Sequence, residues 1–163
     1  MGTRWPAADP KIRTSFGDGG GVAAFRRQLE KADSPLWKEL ELIFTHGGSF
    51  QKEGTDRRFW APYVYSAWPE DRDAFTSLAV LGDNVPLHAA ADASAPALAT
   101  LRYDIVELIQ GSGETPAGFK HVRTADGKEG WVAVDAVRSP IAYRAGIVQK
   151  NGAWKIEALV AGD

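Results

Sequence analysis

The C-terminal segment, residues 140–163, carries the pattern that most constrains the fold. Two alternating stretches flank Asn151-Gly152, a dipeptide favoured in type I′ turns. The apolar positions are Ile141, Tyr143, Ala145 and Ile147 before the turn, and Trp154, Ile156, Ala158 and Val160 after it, with Leu159 expected on the opposite face. The pattern predicts a long antiparallel hairpin. An isolated hairpin is marginally stable in water, so this one must pack against another layer.

Two amphipathic helices are predicted within the aromatic N-terminal region, 22–78, and can supply that layer. Val22, Phe25 and Leu29 recur at helical spacing. Ser34-Pro35 is typical of a helix start, with serine as the N-cap and proline at the first helical position. The second helix should run to His46. We therefore expect the C-terminal hairpin to pack with this N-terminal region.

Residues 1–21 are predicted to form an irregular lead. They contain Pro6 and Pro10 and end in Gly17-Asp18-Gly19-Gly20-Gly21, which lacks helical or strand periodicity. The glycine-rich stretch also lacks the lysine and the serine or threonine of a phosphate-binding loop. We interpret it as a linker into the first helix.

Short apolar segments separated by turns follow from residue 79 to residue 139. Asp126-Gly127 between two alternating segments is a strong hairpin signal. Strands this short and evenly spaced favour a small barrel. The predicted fold class is therefore mainly β with N-terminal helices (α+β), with the barrel inserted between the helices and the terminal hairpin.

Five segments in this region, in this order, resemble a bacterial SH3-like (SH3b) domain. They are Asn84 to His88, Ala95 to Leu101, Asp104 to Leu108, Phe119 to Arg123, and Asp126 to Val132 with its Gly130-Trp131-Val132 core. The resemblance covers about residues 79–139. It implies an SH3-like barrel in an envelope-associated bacterial protein that recognises cell-wall glycan, peptide or a protein partner.

Composition excludes several kinds of chemistry. The chain has no cysteine, which removes disulfides, thiolate nucleophiles and cysteine-based metal sites. Its net charge of −2 argues against nucleic acid as a partner. His46, His88 and His121 are far apart in sequence and form no metal-binding motif, and no nucleophile–base arrangement is visible. We expect no metal, no cofactor and no enzymatic activity.

Membrane and export signals are also lacking in the sequence. No apolar run approaches the ~18 residues of a membrane span. The first residues show no signal peptide, although one could have been removed from a precursor. From the family resemblance we expect a location in the periplasm or cell envelope, with the cytoplasm as the alternative.

Aromatic residues supply the candidate binding site. Rings between residues 59 and 68 could line a groove for sugar or peptide, and others could form the rim of the barrel. The candidate ligand-binding residues are Trp60, Tyr63, Tyr65, Trp68, Tyr103, Phe119 and His121. Packing in the core is the competing interpretation for these rings, and it is the expectation for Trp131 and Trp154.

The sequence thus predicts a non-enzymatic envelope binding or scaffold protein. Two alternatives stay open. One is an enzyme or enzyme subunit with a pocket between the helices and the terminal hairpin. The other is a protein inhibitor or assembly factor that acts through a protein–protein surface.

Overall fold

The structure, a computed structural model, describes residues 7–14, 21–53, 56–110 and 116–162. It is mainly β, with 42% strand and 19% helix, and so belongs to the predicted α+β class. The chain forms two compact units. Unit 1 comprises Met1–Trp68 and Ile141–Asp163, and unit 2 comprises Pro69–Pro140.

Unit 1 is built on a five-stranded sheet. Its strands are β1 (Ala7–Arg13), β2 (Ser49–Glu53), β3 (Asp56–Ala61), β11 (Arg144–Lys150) and β12 (Ala153–Val160). They lie in the order β1-β12-β11-β3-β2, with β1 parallel to β12 and the other pairs antiparallel. The terminal hairpin β11–β12 therefore occupies the middle of this sheet.

The helices of unit 1 are α1 (Gly21–Leu29), α2 (Pro35–Thr45) and the short α3 (Tyr63–Ser66). The start of α2 follows the predicted chemistry, because the Ser34 hydroxyl accepts a hydrogen bond from the Leu36 backbone N–H at 3.4 Å. Gly47, just after the helix, has a φ of 60°, which suits glycine.

One core joins the helices to one face of the sheet. It contains buried side chains from α1, α2 and all strands except the edge strand β2: Ile12, Phe25, Leu36, Leu40, Ile43, Ala61, Ala145, Ile156 and Leu159. Leu159 was expected on the face opposite Ile156, and this expectation was wrong. The pairing of β11 with β12 shifts between Gly146 and Ile147, and this irregularity breaks the strict alternation.

The prediction of an irregular lead was wrong for residues 7–13, which form β1. Ala8 and Ile12 face the core of unit 1, and Ile12 is only 1% exposed. The sequence gives little sign of this strand, because Ile12 is its single large apolar residue and Pro10 lies within it. Its pairing partner, β12, lies at the other end of the chain. Most of the glycine-rich stretch, Gly17 to Gly20, lies outside the described residues.

Unit 2 contains one seven-stranded antiparallel sheet. Its strands are β4 (Ser77–Val80), β5 (Val85–His88), β6 (Ala97–Leu101), β7 (Ile105–Leu108), β8 (Phe119–Arg123), β9 (Glu129–Ala133) and β10 (Val137–Arg138). They lie in the order β10-β4-β7-β8-β9-β5-β6. A turn of 3₁₀ helix, Val134–Ala136, precedes β10.

The described strands of unit 2 do not close into the barrel that we expected. Closure needs the two edge strands to pair with each other. The edge strand β10 has only two residues and pairs with β4, and β6 pairs with β5 at the opposite edge. A separate core fills this unit: Leu78, Val80, Val85, Leu87, Leu101, Val106, Val122, Val132 and Val137.

Candidate functional site

The candidate site of unit 2 lies on the face of β8 and β9 opposite the core. Val122 and Val132 are fully buried in the core, so the alternating neighbours His121 and Trp131 face away from it. The two strands pair His121 directly with Trp131. Their rings stack with centroids 4.5 Å apart and planes within 12°. Both side chains are half-buried.

Two further rings extend this stack. Phe119 lies two residues before His121 and therefore on the same face of β8. The ring of His88, on β5, meets Phe119 edge-on, with centroids 6.1 Å apart and planes at 87°. His88 also pairs in register with Trp131. We call His88, Phe119, His121 and Trp131 the ring cluster.

The strands below the ring cluster approach closely at Gly130. A Cβ atom at this position would lie 2.7 Å from the His88 carbonyl oxygen and 2.8 Å from Cγ of Leu87. Only glycine therefore allows β5 and β9 to lie this close. This contact holds the backbone of His88 beside Trp131.

The loop after β5 supplies a hydrogen-bond partner for His88. Its Nδ1 lies 2.9 Å from the carbonyl oxygen of Ala95, and since a carbonyl oxygen only accepts, this hydrogen bond places the proton on Nδ1. In the same loop, the backbone N–H of Ser94 donates to the Asp92 carboxylate at 2.8 Å, and its hydroxyl donates at 2.9 Å. These hydrogen bonds hold the pKa of Asp92 below its usual value.

Three charged side chains lie at the end of the β8–β9 pair, next to the ring cluster. Arg123 contacts Glu129 at 2.7 Å and Glu107 at 3.3 Å, and all three side chains are largely exposed. Arg123 follows His121 by two residues and so lies on its face of β8. The ring cluster therefore has aromatic surfaces bordered by polar groups, the composition typical of recognition sites.

Tyr103 is highly exposed, at 59%, but the structure does not bring it to the ring cluster. It lies in the turn between β6 and β7 with a φ of 48°, and its backbone N–H donates to the Gly82 carbonyl oxygen at 2.7 Å. Within the described part of the chain it makes no ring contact with Phe119 or His121. Of the three predicted rim residues, two come together.

In unit 1, Trp60 and Tyr65 come together. Their ring centroids are 5.3 Å apart, in an edge-on arrangement. The guanidinium carbon of Arg144 lies 4.5 Å from the centroid of the Tyr65 ring. A Cβ atom on Gly146 would lie 2.9 Å from the Trp60 ring, so the indole lies directly on β11. Both rings are half-buried.

Tyr63 and Trp68 have other surroundings. Tyr63 contacts the His46 ring, with centroids 6.4 Å apart. Trp68 follows α3, and its backbone N–H donates to the Tyr65 carbonyl oxygen at 3.4 Å. All four predicted rings of this segment are half-buried.

Trp131 is the functional candidate that the sequence reasoning missed. Its apolar neighbours in the sequence favour a place in the core. Alternation along β9 instead places Trp131 on the face away from the core, since Gly130 and Val132 on either side of it are both buried. The sequence shows no partner for His88, and only the pairing of β5 with β9 places it at the ring cluster.

A cavity of about 750 Å³ lies between α1 and α2 and includes Tyr143 just before β11. The enzyme alternative expected a pocket between the helices and the terminal hairpin, and Tyr143 is the residue of the C-terminal segment that lines this cavity. Its charged residues are Arg27, Lys31, Asp33 and Glu39. Ser34 also lines it, but the Ser34 hydroxyl caps α2 and has no histidine beside it among the lining residues.

No group of three or more histidine, aspartate or glutamate side chains is arranged to hold a metal ion in the described ranges. Among the described residues, no helix is long and apolar enough to cross a membrane.

Comparison with protein-family models, with curated proteins and with solved structures finds no match to this chain.

Proposed function

We propose that this chain is a non-enzymatic binding protein of the bacterial cell envelope, and that unit 2 is an SH3-like domain that holds a cell-wall glycan or its peptide on the ring cluster. The observation that carries the proposal is the stacked pair His121–Trp131, with Phe119 and His88, which meet each other edge-on, on the same face of the sheet. The succession of five SH3-like segments along the sequence supports the assignment of unit 2 as an SH3-like domain.

The ring cluster suits reversible capture of a sugar or peptide. Aromatic rings offer flat apolar faces and lose little conformational entropy on binding. The neighbouring strands pair residue by residue, so the rings are already in place before a ligand arrives. Exposed charges at Arg123 and Glu129 can bind polar groups at the border.

The test is co-sedimentation of the full chain with purified peptidoglycan. We expect the wild-type chain to sediment and Trp131→Ala to bind about tenfold more weakly, since truncating a central aromatic anchor costs more than ~1 kcal/mol. Soluble glycan strands and isolated stem peptides, added as competitors, identify which part of the polymer is bound.

Phe75→Ala is the matched control, because Phe75 is an aromatic residue of unit 2 outside the ring cluster and is 61% exposed. It should bind as the wild type does. Circular dichroism and urea unfolding of both variants exclude misfolding as the cause of weak binding. Absence of peptidoglycan binding by the folded wild-type chain, or equal losses in both variants, would overturn the proposal.

A further inference from the structure

A charged groove crosses the face of the unit 1 sheet opposite the core formed with α1 and α2. Its volume is about 270 Å³. Strands β1, β3, β11 and β12 contribute its lining residues, which are Asp9, Lys11, Arg13, Arg58, Trp60, Lys150 and Glu157. The alternation of β1 explains the first three, because Ala8 and Ile12 face the core on the other side.

The two carboxylates of the groove are held by cations. The buried Asp9 carboxylate accepts a hydrogen bond from Lys150 Nζ at 3.0 Å, and Glu157 accepts one from Arg58 Nε at 2.7 Å. Lys150 Nζ also lies 4.0 Å from Glu157. These ion pairs fix Arg58 and Lys150 on the floor of the groove.

The cations outnumber the carboxylates. Four of the lining residues are lysine or arginine and two are acidic, so the lining carries a net charge of +2. Lys11 and Arg13 are exposed, and neither forms an ion pair with another residue in the described ranges. The chain as a whole has a net charge of −2, so this local excess is opposite in sign to the protein. Such a surface attracts anions.

Trp60 adds a flat wall to the same groove. The six-membered part of its indole lies on Gly146, where a Cβ atom would be 2.9 Å from Cη2 of the ring. Tyr65 packs edge-on against the ring. The indole is thus held in one orientation and still lines the groove.

We propose that this groove is a second binding site, for a small molecule that carries a carboxylate or phosphate group on a ring. Lys11 and Arg13 bind the anionic group, and the ring of the ligand packs against Trp60. Arginine and lysine form charge-assisted hydrogen bonds to both kinds of anion. The site belongs to unit 1 and does not depend on the ring cluster of unit 2.

The test is a titration of the ¹⁵N-labelled full chain followed by NMR, with the indole N–H signal of Trp60 assigned through Trp60→Phe. Glucuronate probes a carboxylate source and glucose 6-phosphate a phosphate source, with glucose as the neutral analogue. We expect at least one anionic sugar to shift the Trp60 signal saturably and glucose to leave it in place. The sugar that binds identifies the source of the anion.

Matched double variants separate the site from general electrostatics. Lys11→Ala/Arg13→Ala should weaken binding by about tenfold, whereas Arg26→Ala/Lys38→Ala, which removes two exposed cations from the helices, should change it by less than about twofold. Equal losses in both, a shift caused by glucose, or no shift with either anionic sugar would overturn the proposal. Inorganic phosphate binding as tightly as glucose 6-phosphate would overturn the role given to Trp60.

Discussion

Replacing Ile12 with alanine tests whether the N-terminal strand is part of the unit 1 core. The Ile12 side chain is 1% exposed and packs in the cluster that contains Phe25, Ile156 and Leu159. The substitution removes three buried carbon atoms. Each contributes ~0.8 kcal/mol of burial free energy, so the loss from burial alone is about 2.4 kcal/mol. The cavity that is left adds to this, so we expect a loss of about 2.5–4 kcal/mol in the free energy of unfolding.

The measurement is urea unfolding of the full chain, with hydrogen exchange and mass spectrometry used to monitor the unfolding of individual peptides. This assay separates peptides of β12, in unit 1, from peptides of β9, in unit 2, and so does not assume a single transition for both units. With an m-value of about 1.5 kcal/mol per molar urea, a loss of 3 kcal/mol lowers the midpoint of the β12 peptides by roughly 2 M.

Arg13→Ala is the control, since Arg13 lies on the same strand with an exposed side chain. A surface substitution of this kind changes the free energy of unfolding by ~0.5 kcal/mol or less. If Ile12→Ala also changed the stability of the β12 peptides by no more than that, residues 7–13 would not be docked on β12, and the irregular lead predicted from the sequence would stand.

Three further substitutions test local features of unit 1. Gly48→Ala should destabilise the pairing of β2 with β3 by at least ~2 kcal/mol in urea unfolding, because its Cβ would lie 2.0 Å from the Trp60 carbonyl oxygen. Gly47→Ala, with open space around its Cβ, should cost about 1 kcal/mol through its positive φ alone, and equal costs at the two positions would contradict the steric argument. The pKa of Asp9 is held below its ordinary value of 3.8, mainly by the hydrogen bond from the Lys11 backbone N–H. The ionised carboxylate therefore stabilises the folded chain above pH 3.8, and this contribution is lost as the pH falls below that value. The difference in thermal midpoint between wild type and Asp9→Asn should therefore be constant from pH 7 to about 5 and shrink below about pH 4, and a difference that stays constant to pH 2.5 would refute this account.

Local sequence signals account for the elements that were predicted well. Ser34-Pro35 begins α2, and the turn at Asn151-Gly152 joins β11 to β12 with φ values of 51° and 75°. In each case a few adjacent residues determine the backbone conformation through a capping hydrogen bond or a tolerated positive φ.

The candidate site of unit 2 was predicted in part. Placing Phe119 and His121 on one face of a strand needed only alternation. Pairing them with Trp131 and His88 needed the register of three strands, and register depends on contacts between residues far apart in sequence. The prediction that Tyr103 joins Phe119 and His121 failed, because a position in a turn does not reveal which residues lie next to it in the fold.

By itself, the sequence determined helices α1 and α2, the terminal hairpin, most strands of unit 2 and the absence of cysteine chemistry. All of these follow from the backbone preferences of neighbouring residues, from periodicity or from composition. Only the tertiary structure decided that residues 7–13 form a parallel strand on β12, that Leu159 joins Ile156 in the core, and that charges from four strands form one groove beside Trp60. Each of these depends on pairing between distant segments, and the free energy that favours it comes from burial that no single segment can achieve alone.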